Sequence, residues 1–496
     1  MRQAQSALDN DRLEQKRLTG LGFTVCGVGA ILECKAMLLR LQTPKTPRRQ
    51  LDMVRNAKWA QPKRAQHAMS KVQQVQDSKA PPPVKKRSAG RPSNRGKRRE
   101  ELLAKATLLF NERGISGTSL GLLAEELGIA RASVYHYIDS RDELVFQCYK
   151  SSCEWTSRDL EQAETESTGY ERVIEFVRLT LTPDRDPVAA LTEVNSLSAP
   201  IAKIICQMND KNIAHLARFI SEGEKDGSIR IGDAMLMSQS IGGMLAWAQL
   251  LPLWTYKRKA SEMRAMAAET IVALLETGLS VDRSNPFENQ LLATDFETQY
   301  TNIFDPDQAA AMRNEVVLKT ASGLFSRNGV EATSIDEIAE KIGVTKGVLY
   351  HYFEDKSDLI KRCYERTFDL YDRFIDAAQT TSGTSLDIVQ ANTHLNIQAQ
   401  TGKIAPLMPQ PGFGSLPKPT RNRLLKRARL QNESLAIILD QAIKDGIARP
   451  FRSQLVTHIG AGAIGWIPKW LPEENTYKPF EISDKITDLF RFGLRA

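Results

Sequence analysis

The feature that most constrains this chain is an internal repeat: residues 101–149 align without a gap onto 316–364 at a constant offset of 215. Phe110 falls on Phe325, Gly114 on Gly329, Ala124 on Ala339 and Gly128 on Gly343. Tyr135-His136-Tyr137 falls on Tyr350-His351-Tyr352, and Cys148-Tyr149 on Cys363-Tyr364. The likeness continues more faintly, pairing Asp226-Gly227 with Asp445-Gly446, Trp247 with Trp466, and Gly278-Leu279 with Gly493-Leu494. The offset drifts to 219 and returns to 215, as loops in a duplicated domain do. The 496 residues are therefore not three unrelated domains, as length alone suggests. They divide into an extension, 1–99, and two units, about 100–280 and 311–496, joined by a polar linker at 282–310 with room for one short helix.

The spacing inside each unit predicts an all-α fold. Leu102, Leu103, Ala106, Leu109 and Phe110, matched by Val317, Leu318, Ala321, Leu324 and Phe325, make the apolar stripe of a first helix, which Gly114 and Gly329 end. A second stripe starts at Ser119 or Ser334, where Ser334 with Glu337 forms a capping box; repeat 1 has Leu122 at that position. A glycine turn at Gly128 or Gly343 leads into a third helix of about seven residues, Arg131–Tyr137 or Lys346–Tyr352. This is a helix-turn-helix. A fourth helix begins at Ser140-Arg141, where Glu143 completes a box, or at Asp355-Lys356. The expected organisation is a helix-turn-helix domain at 100–150, a helical domain at 151–281, the linker, a second helix-turn-helix domain at 311–365 and a second helical domain at 366–496.

Charge divides the chain unevenly. Residues 1–99 hold 23 Lys and Arg against 6 Asp and Glu, a net of +17, which leaves −9 on the rest and explains an overall +8. A basic arm on an acidic body points first to polyanions. Residues 18–32 are uncharged but too short to cross a bilayer, and the acidic Asp9, Asp11 and Glu14 spoil a secretory signal. Residues 41–99, rich in Pro, Gln, Lys and Arg, read as a disordered tether. Residues 1–80 can equally be an upstream extension without function, with Met37, Met53 and Met69 as internal starts. Six cysteines with no CxxC pair argue against a disulfide or zinc scaffold and for a reducing cytoplasm.

These helices resemble the TetR-type family of bacterial transcriptional regulators. The likeness is closest at TSIDEIAEKIGVTKGVLYHYFEDKSDL (333–359); TSLGLLAEELGIARASVYHYIDSRDEL (118–144) departs by Ile138 for the usual aromatic and Arg141 for the usual lysine. EGEKDGSIR (222–230), DQAIKDGIAR (440–449) and GWIPKW (465–470) look like the family's ligand domain. The resemblance covers roughly 365 residues and implies binding to a double-stranded DNA operator, with the third helix in a major groove roughly 12 Å wide. Arg131, Ser133, Tyr135 and His136 in one head, and Thr345, Lys346, Tyr350 and His351 in the other, are then the candidate DNA contacts, with Val134, Tyr137, Leu349 and Tyr352 packing inward. Thr118 and Ser119, Thr333 and Ser334, and Arg141 and Lys356 are the expected phosphate contacts. For the two histidines a packing role between helices is the plainer alternative, and for Arg131 and Lys346 a solvated surface charge. Because the two third helices differ in sequence, the resemblance implies two unlike half-sites.

Family members dimerise through their last two helices, placing heads about 34 Å apart or at a related spacing. With two heads in one chain, an intrachain pseudo-dimer joined by 233–251 and 261–279 against 452–470 and 480–494 is expected, a homodimer with four heads being the alternative. The arm KKRSAGRPSNRGKRR (85–99), with Arg91, Arg95, Lys97 and Arg98, is either a minor-groove hook or a nonspecific tether. Each helical half should hold a cavity for a small apolar effector, with Trp247, Trp254, Trp466 and Trp470 as candidates to line it; core or interface packing is the plainer reading of those rings. The function expected is a repressor relieved by that effector; an architectural DNA binder without ligand response is the alternative. No cofactor, metal site or membrane segment is expected. No HExxH, GxSxG, Walker or Rossmann pattern stands in a plausible context, so an enzyme is not expected either.

Overall fold

A computed structural model of the chain describes residues 94–496 except Ser116, 255–258, Ile303, Glu331, Ser382, 409–415 and 473–476. The extension up to residue 93, including Arg91, lies outside the described residues, as do the side chains of Arg95 and Trp254. What is described is helical, and its only β pairing is two isolated bridges. Repeat 1 contributes α1 (Asn94–Arg113), α2 (Leu120–Glu126), α3 (Arg131–Val134), α4 (Arg141–Ala163), α5 (Gly169–Thr180), α6 (Ala199–Asp226), α7 (Ala234–Ala248), α8 (Leu251–Trp254) and α9 (Ala260–Thr277). Repeat 2 follows the same order with α10 (Pro306–Asn328), α11 (Ile335–Ile342), α12 (Lys346–Leu349), α13 (Lys356–Thr380), α14 (Ser385–Thr401), α15 (Lys418–Lys444), α16 (Ser453–Gly465), α17 (Ile467–Trp470) and α18 (Pro479–Phe492).

Three boundaries differ from the sequence reading, the plainest being that α10 begins at Pro306, inside the segment read as linker. The first helix begins at Asn94, so Lys97 and Arg98, and the backbone of Arg95, belong to α1 and not to an extended arm. Lys97 and Arg98 lie four and three residues before Glu101, and opposite charges at that spacing favour helix. The third helix is shorter than expected. After one α turn its backbone continues through i→i+3 bonds, His136 N to Ser133 O (3.2 Å) and Tyr137 N to Val134 O (3.0 Å), so the paired tyrosines ride on a tight turn.

The two repeats pack on each other through α7 and α9 against α16 and α18, and the packing is two-fold. Gly243 and Gly462, equivalent at the offset of 219, face each other where α7 crosses α16. A β-carbon on Gly462 would stand 2.7 Å from Gly243 O and 2.4 Å from Trp247 Cβ; one on Gly243 would stand 2.7 Å from Gly462 O. Beside them the equivalent rings of Trp247 and Trp466 meet edge to face, centroids 6.1 Å apart at 89°. The repeat ends are exchanged in the same symmetric way. Leu279 N donates to Phe490 O (2.9 Å) as Leu494 N does to Leu275 O (2.6 Å), and Arg230 N donates to Leu494 O (2.9 Å) as Arg449 N does to Leu279 O (2.8 Å). Both β bridges, Ile229 with Arg495 and Ala448 with Ser280, belong to this exchange. Contacts between equivalent residues are the mark of an isologous interface, here closed inside one chain.

The linker is packed onto repeat 2 and carries one 3₁₀ turn, Ala293–Phe296. Ala293 is buried with Leu370, Phe374, Leu395, Ala399 and Ile404. Its anchor is His394, buried in α14. Leu291 N donates to Asn289 Oδ1 and Ala293 N to Gln398 Oε1, which turns both amide NH₂ groups onto His394 Nδ1, at 3.0 and 2.8 Å. Nδ1 is thus an acceptor, and Nε2–H donates to Asp484 (3.0 Å).

Burial holds His394 below its usual range against the pull of Asp484, and burial followed by the Arg429 charge pushes His458 down to about 4. Both folded values lie below an unfolded value of about 6.5, so the folded chain binds fewer protons on acidification. Stability should be fully present above about pH 6.5 and fall below it, the His458 share being lost down to about pH 4. A urea midpoint that drops between pH 7.5 and pH 5, and drops less in His458→Leu, is the expected outcome; a flat or rising midpoint would contradict it. For the helix crossing, Gly462→Leu should lose about 1–3 kcal/mol of stability by overpacking. Gly121→Ala, whose new β-carbon meets nothing closer than Ser119 Oγ at 3.6 Å, should cost nothing measurable in the same denaturation experiment.

Candidate nucleic-acid interface

Each head is built by α1–α4 or α10–α13. Leu123 and Ala124 bury the inner face of α2, as Ile338 and Ala339 do for α11. The turn that follows needs a left-handed residue, supplied by Gly128 (φ 65°) and Gly343 (φ 83°), and is closed by Ile129 N to Ala124 O and Val344 N to Ala339 O, both 3.0 Å. Val134 and Leu349 then anchor the third helix, each fully buried. The departure at Ile138 preserves packing, since Ile138 and Phe353 are equally buried.

That anchoring leaves one face of each third helix in solvent. Tyr135 and Tyr350 are 47% and 46% exposed, large rings held out of the core at equivalent places. Arg131, His136, Thr345, Lys346 and His351 are also exposed, and Ser133 is half-buried. The candidate contacts on the third helices, Ser133 apart, are therefore open to solvent in each head.

The expected phosphate contacts are not all available. Thr118 and Thr333 are buried, and their hydroxyls donate inward to Gly114 O and Gly329 O, both at 2.9 Å. They staple the entry of the second helix to the end of the first, which turns these side chains inward. Ser119 and Ser334 are exposed, and their oxygens accept the amides of Leu122 and Glu337, both at 3.0 Å, as N-caps, which leaves each hydroxyl hydrogen to donate. The reciprocal half of the box at Ser334 is not formed, because the Glu337 carboxylate accepts from Asn328 Nδ2 (3.1 Å). At the fourth helix, Glu143 reaches Asp139 N, one residue before the cap. Arg141 is half-buried with its guanidinium donating to Ile115 O, so it is turned away from solvent. Lys356 is half-buried on the first turn of α13.

The two heads are not electrostatically equal. Lys346 Nζ pairs with Asp336 at 2.8 Å, and that carboxylate holds the ammonium above its ordinary range. At the position equivalent to Asp336 the first head has Gly121, and Arg131 makes no ion pair among the described residues. Sequence reading singled out the lysine and missed its partner, ten residues away on the preceding helix.

Each helical half holds a cavity, and each is finished by the opposite repeat. Trp247 of repeat 1 lines the cavity of repeat 2, about 170 Å³, with Phe368, Tyr371 and Val389. Trp466 and Trp470 of repeat 2 line that of repeat 1, about 420 Å³, beside Phe176, Leu216 and Lys469. Lys469 was not anticipated. Comparing the matching tetrapeptides Leu251-Pro252-Leu253-Trp254 and Ile467-Pro468-Lys469-Trp470 would have flagged it.

Comparison with known proteins bears on the heads first. The family model "Bacterial regulatory proteins, tetR family" matches residues 102–148 and 317–363. The HTH-type transcriptional regulator AcrR of Shigella flexneri is 45% identical over 58 residues, 12% of this chain and 27% of that protein. The transposon Tn10 TetC protein of Escherichia coli is 41% identical over 59 residues, 12% of this chain and 30% of that one. The chain thus spans about three tenths of the length of these two relatives. The HTH-type transcriptional repressor KstR2 of Mycolicibacterium smegmatis is 27% identical over 157 residues, 29% of this chain and 71% of that protein. Among solved structures, apo AibR aligns at 23% identity and a TM-score of 0.31, covering 37% of this chain and 99% of its own. With one family model matched twice, on two helix-turn-helix heads of the same build, the chain carries in tandem two domains of the bacterial tetR regulatory type.

Proposed function

We propose that the chain is a sequence-specific double-stranded DNA-binding repressor, relieved by a small molecule, whose two heads read two non-identical half-sites as an intrachain pair. The observation that carries this reading is the two-fold packing of α7 and α9 on α16 and α18, with Gly243 on Gly462 and Trp247 on Trp466 inside one chain. A single polypeptide then presents the two heads for which an ordinary family member needs two. The proposed division is heads at 100–150 and 311–365, and helical halves at 151–281 and 366–496.

In this reading Tyr135 and Tyr350 lie against the DNA, Arg131 and Lys346 supply charge, and the different neighbours Ala132-Ser133 and Gly347-Val348 give each head its own preference. Arginine's fork matches the acceptor pair of guanine in the major groove, which lysine addresses as a point charge. Lys346 must also give up Asp336 before it serves a phosphate or base. The KstR2 proteins are named as repressors, which supports the direction of regulation proposed here.

Selection of bound DNA from a random pool with the full chain tests the proposal. The wild type should recover one site with two unlike halves, bound by a single chain of 55.4 kDa, and Tyr135→Ala and Tyr350→Ala should each lose a different half. Absence of any sequence preference would sink it. Removing the internal competitor is a second test. Asp336→Ala should tighten binding roughly two- to five-fold, the worth of an exposed ion pair. It should also steepen the dependence of log affinity on log salt by about one charge, and unchanged affinity and slope would remove Lys346 from the interface.

A further inference from the structure

The two cavities are chemically unlike. That of repeat 1, about 420 Å³, falls within the range of small-molecule sites, about 300–1,000 Å³. That of repeat 2, about 170 Å³, is closer to a void that holds one benzene, about 150 Å³. Among the described residues only the larger one receives cations from the opposite repeat, Lys469 and Arg327. Where repeat 2 has Lys469, repeat 1 has Leu253, so the difference is built into the sequence.

The larger cavity also has donors in excess. Lys469 Nζ donates to Thr192 O (2.6 Å) and Ser326 O (3.3 Å), which leaves its third hydrogen. Gln249 Nε2 and Trp470 Nε1 line the same space and are buried without a hydrogen-bond partner among the described residues. Buried donors left open in this way call for an acceptor. Two acids stand nearby. Glu193 opposes the burial that pushes Lys469 down to about 8, but its carboxylate accepts Ile115 N at 2.8 Å. Asp210, on the wall, is held above the usual carboxylate range by burial. The rest of the wall includes Phe176, Leu216 and Leu245, an apolar bed.

We infer that the cavity of repeat 1 binds an amphiphilic organic anion, its acid group on Lys469, Gln249 and Trp470 and its body among the apolar side chains, and that this ligand reports to both heads through Lys469. The route is short. Thr192 ends a segment tied to the first head, where Asn111 Nδ2 donates to Val188 O (2.8 Å) and Ala190 N to Asn111 Oδ1 (3.0 Å). Ser326 lies in α10, the first helix of the second head, and Asn195 Nδ2 adds a bond to Asn328 there (3.1 Å). Lys469 thus clips the two heads together through two carbonyls, and an anion competing for its hydrogens loosens the clip. The regulatory consequence rests on the DNA-binding reading above; the binding site does not.

Calorimetry and thermal melting of the full chain with decanoate, decyl phosphate and 1-decanol, each below its micelle concentration, test the inference. One anion per chain should bind and raise the melting temperature where decanol does not, and the stronger of the two anions identifies the acid group. Lys469→Met should weaken that binding roughly tenfold or more, the loss of a charge-assisted hydrogen bond, while Lys469→Arg retains it. Should Lys469→Met fail to fold, Gln249→Leu, on the other wall, must weaken binding in its place. Equal stabilisation by decanol, or anion affinity unchanged in these variants, overturns the site. Anion binding that leaves affinity for a selected operator unchanged overturns the clip. Anion binding by a chain that selects no operator at all upholds the site and removes the DNA-binding reading instead.

Discussion

Everything in this fold hangs on one close approach, the crossing of α7 over α16 at Gly243 and Gly462. Neither residue tolerates a β-carbon, because each would meet the other's carbonyl oxygen at 2.7 Å. With the backbones that close, Trp247 and Trp466 meet edge to face and α9 and α18 close the same core. The cavities follow from it as well, since each is walled in part by a side chain that the crossing delivers from the other repeat. Ion pairs at the rim, such as Arg495 with Glu276 and Arg452 with Glu269, are exposed and contribute little beside this packing.

Much of this was legible in the sequence because several residues that stayed alike in the fainter second halves of the repeats touch across the two-fold. Gly278-Leu279 and Gly493-Leu494 stood out as faint matches, and they prove to be the exchanged ends whose amides and carbonyls pair with the opposite repeat. Trp247 and Trp466 stood out for the same reason. Periodicity was equally informative about the heads, where Leu102, Leu123 and Val134 are buried as their spacing requires. It failed where side-chain hydrogen bonds decide the outcome. Thr118 occupies a position at the mouth of a helix where a free hydroxyl reaches solvent, yet Gly114 O lies 2.9 Å away and accepts its hydrogen bond. Arg141 likewise turns to Ile115 O, a carbonyl 26 residues distant that no local pattern reveals. The short third helix is a milder case, because i→i+3 and i→i+4 turns share the same apolar spacing over four residues.

Fusing the two partners changes what substitution can accomplish. In a homodimer every change appears twice, so an unfavourable feature at the two-fold is doubled and a useful asymmetry is unattainable. In a single chain the halves are free to diverge, and they have. Asp336 quiets Lys346 in one head while Gly121 leaves Arg131 without that competitor. Lys469 enters one cavity while leucine occupies its place in the repeat. Asp336 lies away from the crossing and Lys469 at its edge, against the Trp466 ring, so divergence has run where the paired glycines and tryptophans stay in place.

Fusion also removes the concentration dependence of pairing. A tethered partner stands at an effective concentration on the order of millimolar even with a flexible linker, and this linker is held by more than its length. Arg491 of α18 donates to Asn285 O (2.9 Å) and pairs with Asp387 of α14 (2.9 Å), while Asn289 and Gln398 grip His394 in the same helix. The chain from the end of repeat 1 to the start of repeat 2 is therefore pinned to α14 and α18, next to the symmetric exchange of repeat ends. That pinning shortens the free tether between the repeats to the few residues between the end of α9 and Asn285. On the far side, Lys469 joins Thr192 and Ser326 by two hydrogen bonds from one ammonium, and Asn195 adds a third bond to Asn328. Under the proposed function, the relation of the heads to each other is what these few polar contacts set, beside an axis closed by the packing of α7 on α16.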